Sequence, residues 1–458
     1  MRRLIQQILQ GELWFLLPLV PLLLFPNVLT PLGLALVLLP WLCRWEERGH
    51  LTRRTPTDWP IAIILAMTLI GATVSDNPSL SLTTLCQVVA GVALFYGVVN
   101  WAWSGHRVWH VVFLLIASGV ALALVAPLGT TWNRTKLFSA SRLYDHIPAP
   151  LLPYETVNRN VLAGALALLV PVSVALLLFA PLSFLPRAQA RSGRVGLLAA
   201  TLTMLAVIIL TQSRGAYLAL AIGLLVMAFL RRPELLWGTP LLLMGVGVAV
   251  RRFGLYPLVD AMLVTDSLES LEARRQIWSA ALGMIGHFPL SGIGLGTFDQ
   301  VLSNVSPLSM RHGLKAHVNH AHNLFLQVGV DLGVVGLGAF VALLIISLRT
   351  AWGVWRFRGG REWQDANALG LGLLISLVVM VLHGLVDAVT WGTKPSVIPW
   401  LVMGLSVAVG GLKDRAPRPW ADGDGGGSHE ITNVSGSRES TRGLTRRDCT
   451  GANSPTST

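Results

Sequence analysis

Long apolar runs separated by short polar segments recur along most of this 458-residue chain. A run of about 20 apolar residues can cross the roughly 30 Å hydrocarbon core of a bilayer as a helix. No run shows the alternation of apolar and polar positions that is typical of a membrane barrel. The pattern predicts an all-α, polytopic integral membrane protein that is embedded in a lipid bilayer. We expect about twelve transmembrane helices, at residues 12–25, 28–43, 59–75, 80–100, 108–127, 160–182, 195–212, 215–230, 234–250, 328–348, 367–388 and 396–412.

The first two of these runs are short and rich in proline, so they could instead form one broken hairpin. The N-terminal apolar run is not followed by a small-residue cleavage site, and we interpret it as a span rather than a signal peptide.

Arginine is concentrated in alternate connecting segments. Because positively charged loops stay in the cytoplasm, this alternation supports both the span count and an inner-membrane protein whose N-terminus is cytoplasmic. The net charge of +12 therefore indicates orientation and not nucleic acid binding. The arginines in question are Arg44, Arg48, Arg53, Arg54, Arg107, Arg187, Arg191, Arg194, Arg231, Arg232, Arg349, Arg356, Arg358 and Arg361.

The same orientation places three segments outside: residues 128–157, the turn at 212–215 and a large extracytoplasmic loop at 252–321. Arg214 stands between two apolar runs, so it must lie at or within the outer membrane boundary. A charge there is costly without a partner and often marks a functional site. The alternative is an arginine that snorkels from a helix end.

Composition divides the chain into two parts. Residues 1–412 form the predicted transmembrane domain. Residues 413–458 contain much Gly, Ser, Thr and Arg and few large apolar residues, so we expect a disordered cytoplasmic tail. Three cysteines without metal-ligand spacing argue against a disulfide or zinc framework.

Within the large loop, Leu271, Trp278, Leu282 and Ile285 recur at helical spacing and predict an amphipathic helix over 268–286. Arg274 and Arg275 flank its expected apolar face. Planar guanidinium groups match the closely spaced oxygens of a diphosphate. Arginines beside a lipid boundary therefore favour a lipid-linked phosphate ligand. Alone, the segment would be interpreted as a surface helix with ordinary ion pairs.

The same loop ends in three histidines, His317, His320 and His322. Histidine can accept and donate a proton near neutral pH, which suggests proton abstraction beside an anionic substrate. A histidine cluster that caps the next helix is the alternative. His383 and Asp387 are four positions apart, so Asp387 could orient His383, either structurally or in catalysis.

Two further polar residues, Asn158 and Asn160, open the expected sixth span. They could bind a polar headgroup or cap the helix. The glycines at 292, 294 and 296 follow Pro289 and favour a tight turn over a nucleotide site, since no strand precedes them. The acidic residues show no metal-ligand spacing, and we expect neither a metal nor another cofactor.

Four sequence motifs, in this order and spacing, resemble those of the O-antigen ligase and polymerase superfamily. The resemblance covers roughly 155–340. Two departures are Asn158-Arg159-Asn160, where the family often has Asn-Pro-Asn, and Asp331, where it usually has Glu. The motifs are TQSRGA at 211–216, RRQIW at 274–278, PLSGIGLGTF at 289–298, and HAHNLFLQ at 320–327 followed by Gly333 and Gly336.

This resemblance implies a twelve-span membrane glycosyltransferase that moves a glycan from undecaprenyl diphosphate to an acceptor hydroxyl on the outer side of the inner membrane. It implies inversion at the anomeric carbon without a metal. Arg214 and Arg274, with Arg275 as a further candidate, would bind the diphosphate. His322 would deprotonate the acceptor, His320 being the weaker candidate. Asn323 and Asp387 are possible accessory residues.

The sequence leaves several functions open. Ligation to a lipid, polymerisation of glycan repeats and transfer to a protein share this chemistry and differ in the acceptor. A transporter, the alternative from another class, should carry ionisable residues at mid-span and inverted repeats, and neither is visible. A non-catalytic partner in envelope assembly is a third possibility.

Overall fold

The computed structural model describes residues 2–102, 104–130, 132, 158–254, 271–305 and 318–415. These residues are predominantly helical and form no extended strand, which confirms the all-α class. The predicted tail after residue 415, most of segment 128–157, His317 and parts of the large loop lie outside the described residues.

The described residues form the α-helices that are named below in chain order. They are α1 (Arg2–Gln10), α2 (Glu12–Leu16), α3 (Leu19–Leu24), α4 (Thr30–Arg48), α5 (Asp58–Val74), α6 (Pro78–Trp101), α7 (Gly105–Val125), α8 (Arg159–Phe179), α9 (Arg187–Thr211), α10 (Arg214–Arg231), α11 (Thr239–Phe253), α12 (Leu271–His287), α13 (Phe298–Val305), α14 (Leu324–Trp355), α15 (Gln364–Gly384) and α16 (Val397–Lys413).

Eight helices of this set are long and apolar enough to cross a membrane, namely α6, α7, α8, α9, α10, α14, α15 and α16. A ninth span results if α1 and the helical segment Glu12–Leu24, bent by 84° relative to each other, are taken together. The chain is therefore a multi-pass helical membrane protein. The expected count of about twelve is not confirmed.

The remaining expected spans also fall on helices, but these helices are short or interrupted. The first is split between α2 and α3 around Pro18, which has no amide hydrogen to donate. Helix α4 carries Arg44, Glu46, Glu47 and Arg48 in its last turns, so its apolar part is shorter than the helix. Helices α5 and α11 have 17 and 15 residues, at and below the lower end of the length that a crossing needs.

The centre of the bundle is formed by α8 and α15, which pack against each other, while α15 also contacts α10 and α14. Small residues allow the close approach. A Cβ added at Gly372 of α15 would lie 2.8 Å from the Cα of Val172 in α8. Because lipid does not drive helices together as water does, such close packing supplies much of the association energy in a bilayer.

Helix α14 is broken at Gly333, whose φ of 69° and ψ of −176° are not helical. The turn of residues 289–296 packs into this break. The amide of Ile293 donates to the Val330 carbonyl at 2.9 Å, and the amide of Val334 donates to the Pro289 carbonyl at 2.7 Å. The glycine-rich segment is thus a tight turn that fixes the start of α14, as predicted.

Candidate functional site

A buried carboxylate, Asp331, holds together the elements beneath the histidine loop. Its side chain accepts hydrogen bonds from Gln327 Nε2 at 3.0 Å, from Trp391 Nε1 at 2.9 Å and from the Gly296 amide at 3.3 Å. These donors come from α14, from the segment after α15 and from the glycine-rich turn. Since three separate segments bind one side chain, Asp331 sets their relative positions.

The histidine loop, residues 318–323, is tied to this network and to α14. Gln327 Oε1 accepts a hydrogen bond from the Ala321 amide at 2.8 Å, and Ala321 is fully buried between the two histidines. Asn323 caps α14 by accepting from the amides of Phe325 and Leu326, and its Nδ2 donates to the Leu385 carbonyl at 3.0 Å. Asn323 thus positions the loop against the end of α15.

His322 adopts a left-handed backbone conformation with φ of 47°. Such a conformation is uncommon for a residue other than glycine, and it persists where the surrounding contacts determine it. Here the buried Ala321 and the cap residue Asn323 fix the backbone on both sides of His322.

Asp387 is the residue that the two histidines share. Its Oδ1 lies 2.9 Å from Nε2 of His320 and 3.4 Å from Nδ1 of His322, and the two imidazole centroids are 4.3 Å apart. Oδ1 also accepts from the Ala388 amide at 2.9 Å. Burial raises the pKa of Asp387, but the hydrogen bond with His320 and the closeness and charges of the His320 and His322 rings outweigh it and hold that pKa well below its ordinary value. Asp387 is therefore a carboxylate near neutral pH.

The expected pairing of Asp387 with His383 is wrong. Helix α15 ends at Gly384, so Asp387 lies in the following turn, where its amide donates to the His383 carbonyl and its carboxylate reaches the histidine loop. His383 is 1% exposed, and its Nδ1 has no hydrogen-bond partner. A Cβ added at Gly164 of α8 would lie 2.8 Å from the His383 ring, and one at Gly215 of α10 would lie 3.8 Å from it.

Helix α12 forms where the sequence predicts it, but its expected apolar face is only partly correct, because Trp278 and Ile285 pack against the core and Leu282 does not. Leu282 is 59% exposed, whereas Ile277, Ala281 and Met284 are buried. Each of these buried residues lies one position before a residue of the expected face, namely Trp278, Leu282 or Ile285. Ile277 and Ala281 share a core with Ala321, so α12 packs directly against the histidine loop.

The corrected face gives the two arginines of α12 different environments. Arg274 precedes Ile277 by one turn on the buried face and is only 7% exposed, and its positive charge acts on His383. Its Nε has no hydrogen-bond partner, and no carboxylate in the described part of the chain pairs with it. Arg275 is exposed. The structure therefore buries Arg274 on the face of α12 that packs against the histidine loop and leaves Arg275 exposed.

Arg214 begins α10, directly after Gln212, whose left-handed φ of 52° ends α9. This abrupt turn leaves Arg214 half-buried. The next residue, Gly215, faces His383. Arg214 thus precedes a residue that lies near the His383 ring, and the charge of Arg274 also acts on His383.

The two asparagines at the start of α8 have a structural explanation. The side chain of Asn158 caps the helix by accepting from the Asn160 amide at 2.8 Å, which confirms the capping interpretation. Asn160 lies one turn before Gly164 and is half-buried.

The donor atoms of His320, His322 and Asp387 all lie within 4.8 Å of one another, so these groups could hold a metal ion. Sequence spacing gave no sign of this, because Asp387 is far from the histidines along the chain. The same arrangement, a carboxylate that orients imidazoles, also serves proton transfer without a metal.

The helices and this site define a class of protein: a multi-pass membrane protein with a partly buried histidine–aspartate cluster and a buried arginine on the helix that packs against the histidine loop. Residues 199–341 match the family model described as O-antigen ligase. The match covers 143 of the 458 residues and agrees with the resemblance of the four motifs to the O-antigen ligase superfamily. The matched segment contains Arg214, Arg274, His320 and His322, and ends before Asp387. No curated protein matches the chain significantly.

Proposed function

We propose that this protein transfers a glycan from undecaprenyl diphosphate to an acceptor hydroxyl at the periplasmic face of the inner membrane. The observation that carries the proposal is one carboxylate, Asp387, that contacts two imidazoles of a loop, together with a buried cation, Arg274, on the helix that packs against this loop. This combination supplies a proton acceptor and a charge partner for an anionic leaving group, the two groups that such a transfer needs.

The donor diphosphate is held by Arg274 and Arg214. A buried guanidinium is costly unless an anion accompanies it, and no carboxylate of the described residues provides that anion for Arg274. A diphosphate offers several oxygens to guanidinium forks. As the bond to the sugar breaks, negative charge grows on the diphosphate, and fixed cations away from bulk water stabilise it.

The general base is His322. Its Nδ1 faces Asp387, so a proton on Nδ1 leaves Nε2, at the other side of the ring, free to accept the hydroxyl proton. The 3.4 Å contact is longer than a hydrogen bond, and such contacts often tighten when substrate binds. His320 is the weaker candidate because its Nε2 is already occupied by Asp387.

The reaction balances with these groups alone. The acceptor oxygen attacks the anomeric carbon from the face opposite the diphosphate, which inverts that carbon. The carbon–oxygen bond to the diphosphate breaks, and its electron pair leaves with the diphosphate. The hydroxyl proton moves to His322, and Asp387 stabilises the resulting imidazolium. Acceptors on a lipid, a growing glycan or a protein all fit this scheme.

The test is to incubate purified protein with an undecaprenyl-diphosphate-linked oligosaccharide and each class of acceptor, and to identify the products by mass spectrometry. We expect His322→Ala to remove transfer while the protein stays folded. His287→Ala is the matched control, because His287 is exposed and its Nδ1 forms a hydrogen bond within its own helix, with the Gly283 carbonyl. Full activity of His322→Ala would overturn the base assignment.

A second arm separates the base role from metal binding by the same three groups. Protein treated with EDTA and then freed of the chelator should keep its transfer rate, because no proposed step requires a metal. Loss of the rate, with recovery on adding a divalent cation, would contradict the proposed mechanism.

A further inference from the structure

A basic recess lies at the opposite end of the bundle from the histidine cluster. Helix α5 connects the two regions. Near the C-terminus of α5, a Cβ added at Gly71 would lie 3.0 Å from the Asp331 carbonyl, beneath the histidine loop. The N-terminal residue of α5, Asp58, directly follows the segment that forms the recess. The 17 residues of α5 span about 25 Å. On the orientation expected from the loop arginines, the recess faces the cytoplasm.

The recess is a cavity of about 470 Å³ within the segment that joins α4 to α5. None of its lining residues is acidic. Gly49 makes the turn at the end of α4 with φ of 71°, and the space beside it is open. The lining residues are Arg48, Gly49, His50, Thr52, Arg53 and Arg54.

Positive charge converges on this recess from several elements. Burial, together with the charges of Arg44, Arg48 and Arg415, lowers the pKa of Arg53 to about 10. Arg53 is still protonated at neutral pH, so the arginines repel one another. The carboxylate of Glu12, which attracts Arg53, is already bound by Arg44 and by Asn100. A bound anion would relieve this repulsion.

The recess is held open by hydrogen bonds and does not depend on a ligand for its shape. The Arg53 amide donates to Asn100 Oδ1 at 3.0 Å, and the Thr55 amide donates to Asp58 Oδ2 at 2.9 Å. Asp58 in turn accepts from the Tyr96 hydroxyl at 2.9 Å. A site that is formed in advance loses little entropy on binding.

Exposed apolar side chains precede and follow the recess-lining residues along the chain. Trp45, 58% exposed, lies one turn before Arg48 on the same face of α4, and Trp59, 79% exposed, is the second residue of α5. Leu42 and Leu51 are also exposed. Tryptophan at this level is typical of the interface between headgroups and acyl chains. A ligand here meets arginines at one end and apolar surface at the other.

We infer that this recess binds the phosphate headgroup of an anionic membrane lipid. The phosphate oxygens accept hydrogen bonds from Arg48, Arg53 and Arg54, and the acyl chains run along the apolar surface beside Trp45. The site lies at the other end of α5, a helix about 25 Å long, from the elements beneath the histidine loop, and it does not depend on the proposed transfer reaction.

The experiment measures lipid binding to the purified full-length chain by native mass spectrometry in a non-ionic detergent. The probes are phosphatidylglycerol, phosphatidylcholine and inorganic phosphate. The test variant is Arg48→Gln with Arg54→Gln, two exposed residues whose change leaves the buried hydrogen bonds intact.

The matched control is Arg356→Gln with Arg358→Gln, which removes the same charge from two other exposed arginines. Both control arginines directly follow α14. A Cβ added at Gly353, near the end of α14, would lie 3.2 Å from Lys413 Nζ. Lys413 is two residues before Arg415, whose charge acts on Arg53, so the control arginines lie at the same end of the bundle as the recess.

We expect the wild-type chain to prefer phosphatidylglycerol to phosphatidylcholine, and the test variant to bind phosphatidylglycerol about 10-fold or more weakly. The control variant should bind as the wild type does, and millimolar phosphate should not displace the lipid. If the double variant fails to fold, Arg54→Gln alone should give an intermediate loss.

Three results would overturn the inference. An equal loss in the control variant would mean that the lipid responds only to net charge. Equal binding of the two lipids would exclude recognition of the anionic headgroup. Displacement by inorganic phosphate would make the recess a site for a free anion.

Discussion

Oδ1 of Asp387 lies 2.9 Å from Nε2 of His320, although 67 positions separate the two residues along the chain. The same oxygen is 3.4 Å from Nδ1 of His322. One carboxylate at the end of α15 therefore orients both imidazoles of the loop that precedes α14. This relationship makes Asp387 a positioning residue of the proposed base.

Replacing Asp387 with asparagine should slow glycan transfer by about 100-fold or more, because the amide has nearly the same size but cannot stabilise an imidazolium. Binding of the donor should change little, since the proposed diphosphate ligands are Arg214 and Arg274. Single-turnover rates and donor affinity, measured separately, check this. Asp414→Asn, at a 72% exposed side chain, is the control. An unchanged rate in Asp387→Asn would remove its assigned role.

Asp387 should also make stability depend on pH in the acidic range. Its pKa in the folded protein lies well below the ordinary value, whereas the unfolded value is about 3.9. A carboxyl whose pKa falls on folding stabilises the protein fully above the unfolded pKa, and this contribution is lost as the pH falls through the folded pKa.

The difference in Tm between the wild type and Asp387→Asn should therefore be larger at pH 5 than at pH 3. Thermal unfolding of both proteins in the same detergent, at the two pH values, measures it. A difference that is equal at the two pH values would show that Asp387 is not held as a carboxylate by the histidines.

The sequence predicts the helical class and the positions of most helices, because long apolar runs determine both. It does not predict how many helices cross the membrane. Pro18 splits the first run, and the charges from Arg44 to Arg48 shorten the second. Whether such segments span depends on tertiary packing, which a count of apolar residues does not include.

The candidate site, too, is predicted only in part from the sequence. The motifs single out Arg214, Arg274, His320 and His322 because each lies in a short pattern. The link to Asp387 is not visible, since the nearest histidine at helical spacing is His383 and only the turn after α15 directs the carboxylate elsewhere. Gln327 and Asp331, four positions apart on α14, form a network that helical spacing could have suggested.

Arg274→Lys should be severely impaired in transfer, whereas Arg275→Lys should be close to the wild type. The two residues are adjacent, but Arg274 is 7% exposed on the face that meets the histidine loop, and Arg275 is exposed. An ammonium group cannot supply the two parallel donors of a guanidinium. We expect the loss in Arg274→Lys to appear mainly as weaker donor binding, measured with a labelled undecaprenyl-diphosphate oligosaccharide. Similar losses in both variants would contradict the assigned face of α12.

Gly333→Ala should destabilise the protein by about 1–3 kcal/mol and reduce transfer, although Gly333 touches no proposed substrate. Its φ of 69° disfavours any side chain, and an added Cβ would lie 2.5 Å from the Pro289 carbonyl. The resulting shift would separate the glycine-rich turn from α14 and disturb Asp331, which supports the histidine loop through Gln327. Gly338→Ala on the same helix is the control, because nothing lies within 4 Å of its added Cβ. Thermal unfolding and transfer rates of the two variants test this, and equal behaviour would show that the break in α14 does not hold the site in place.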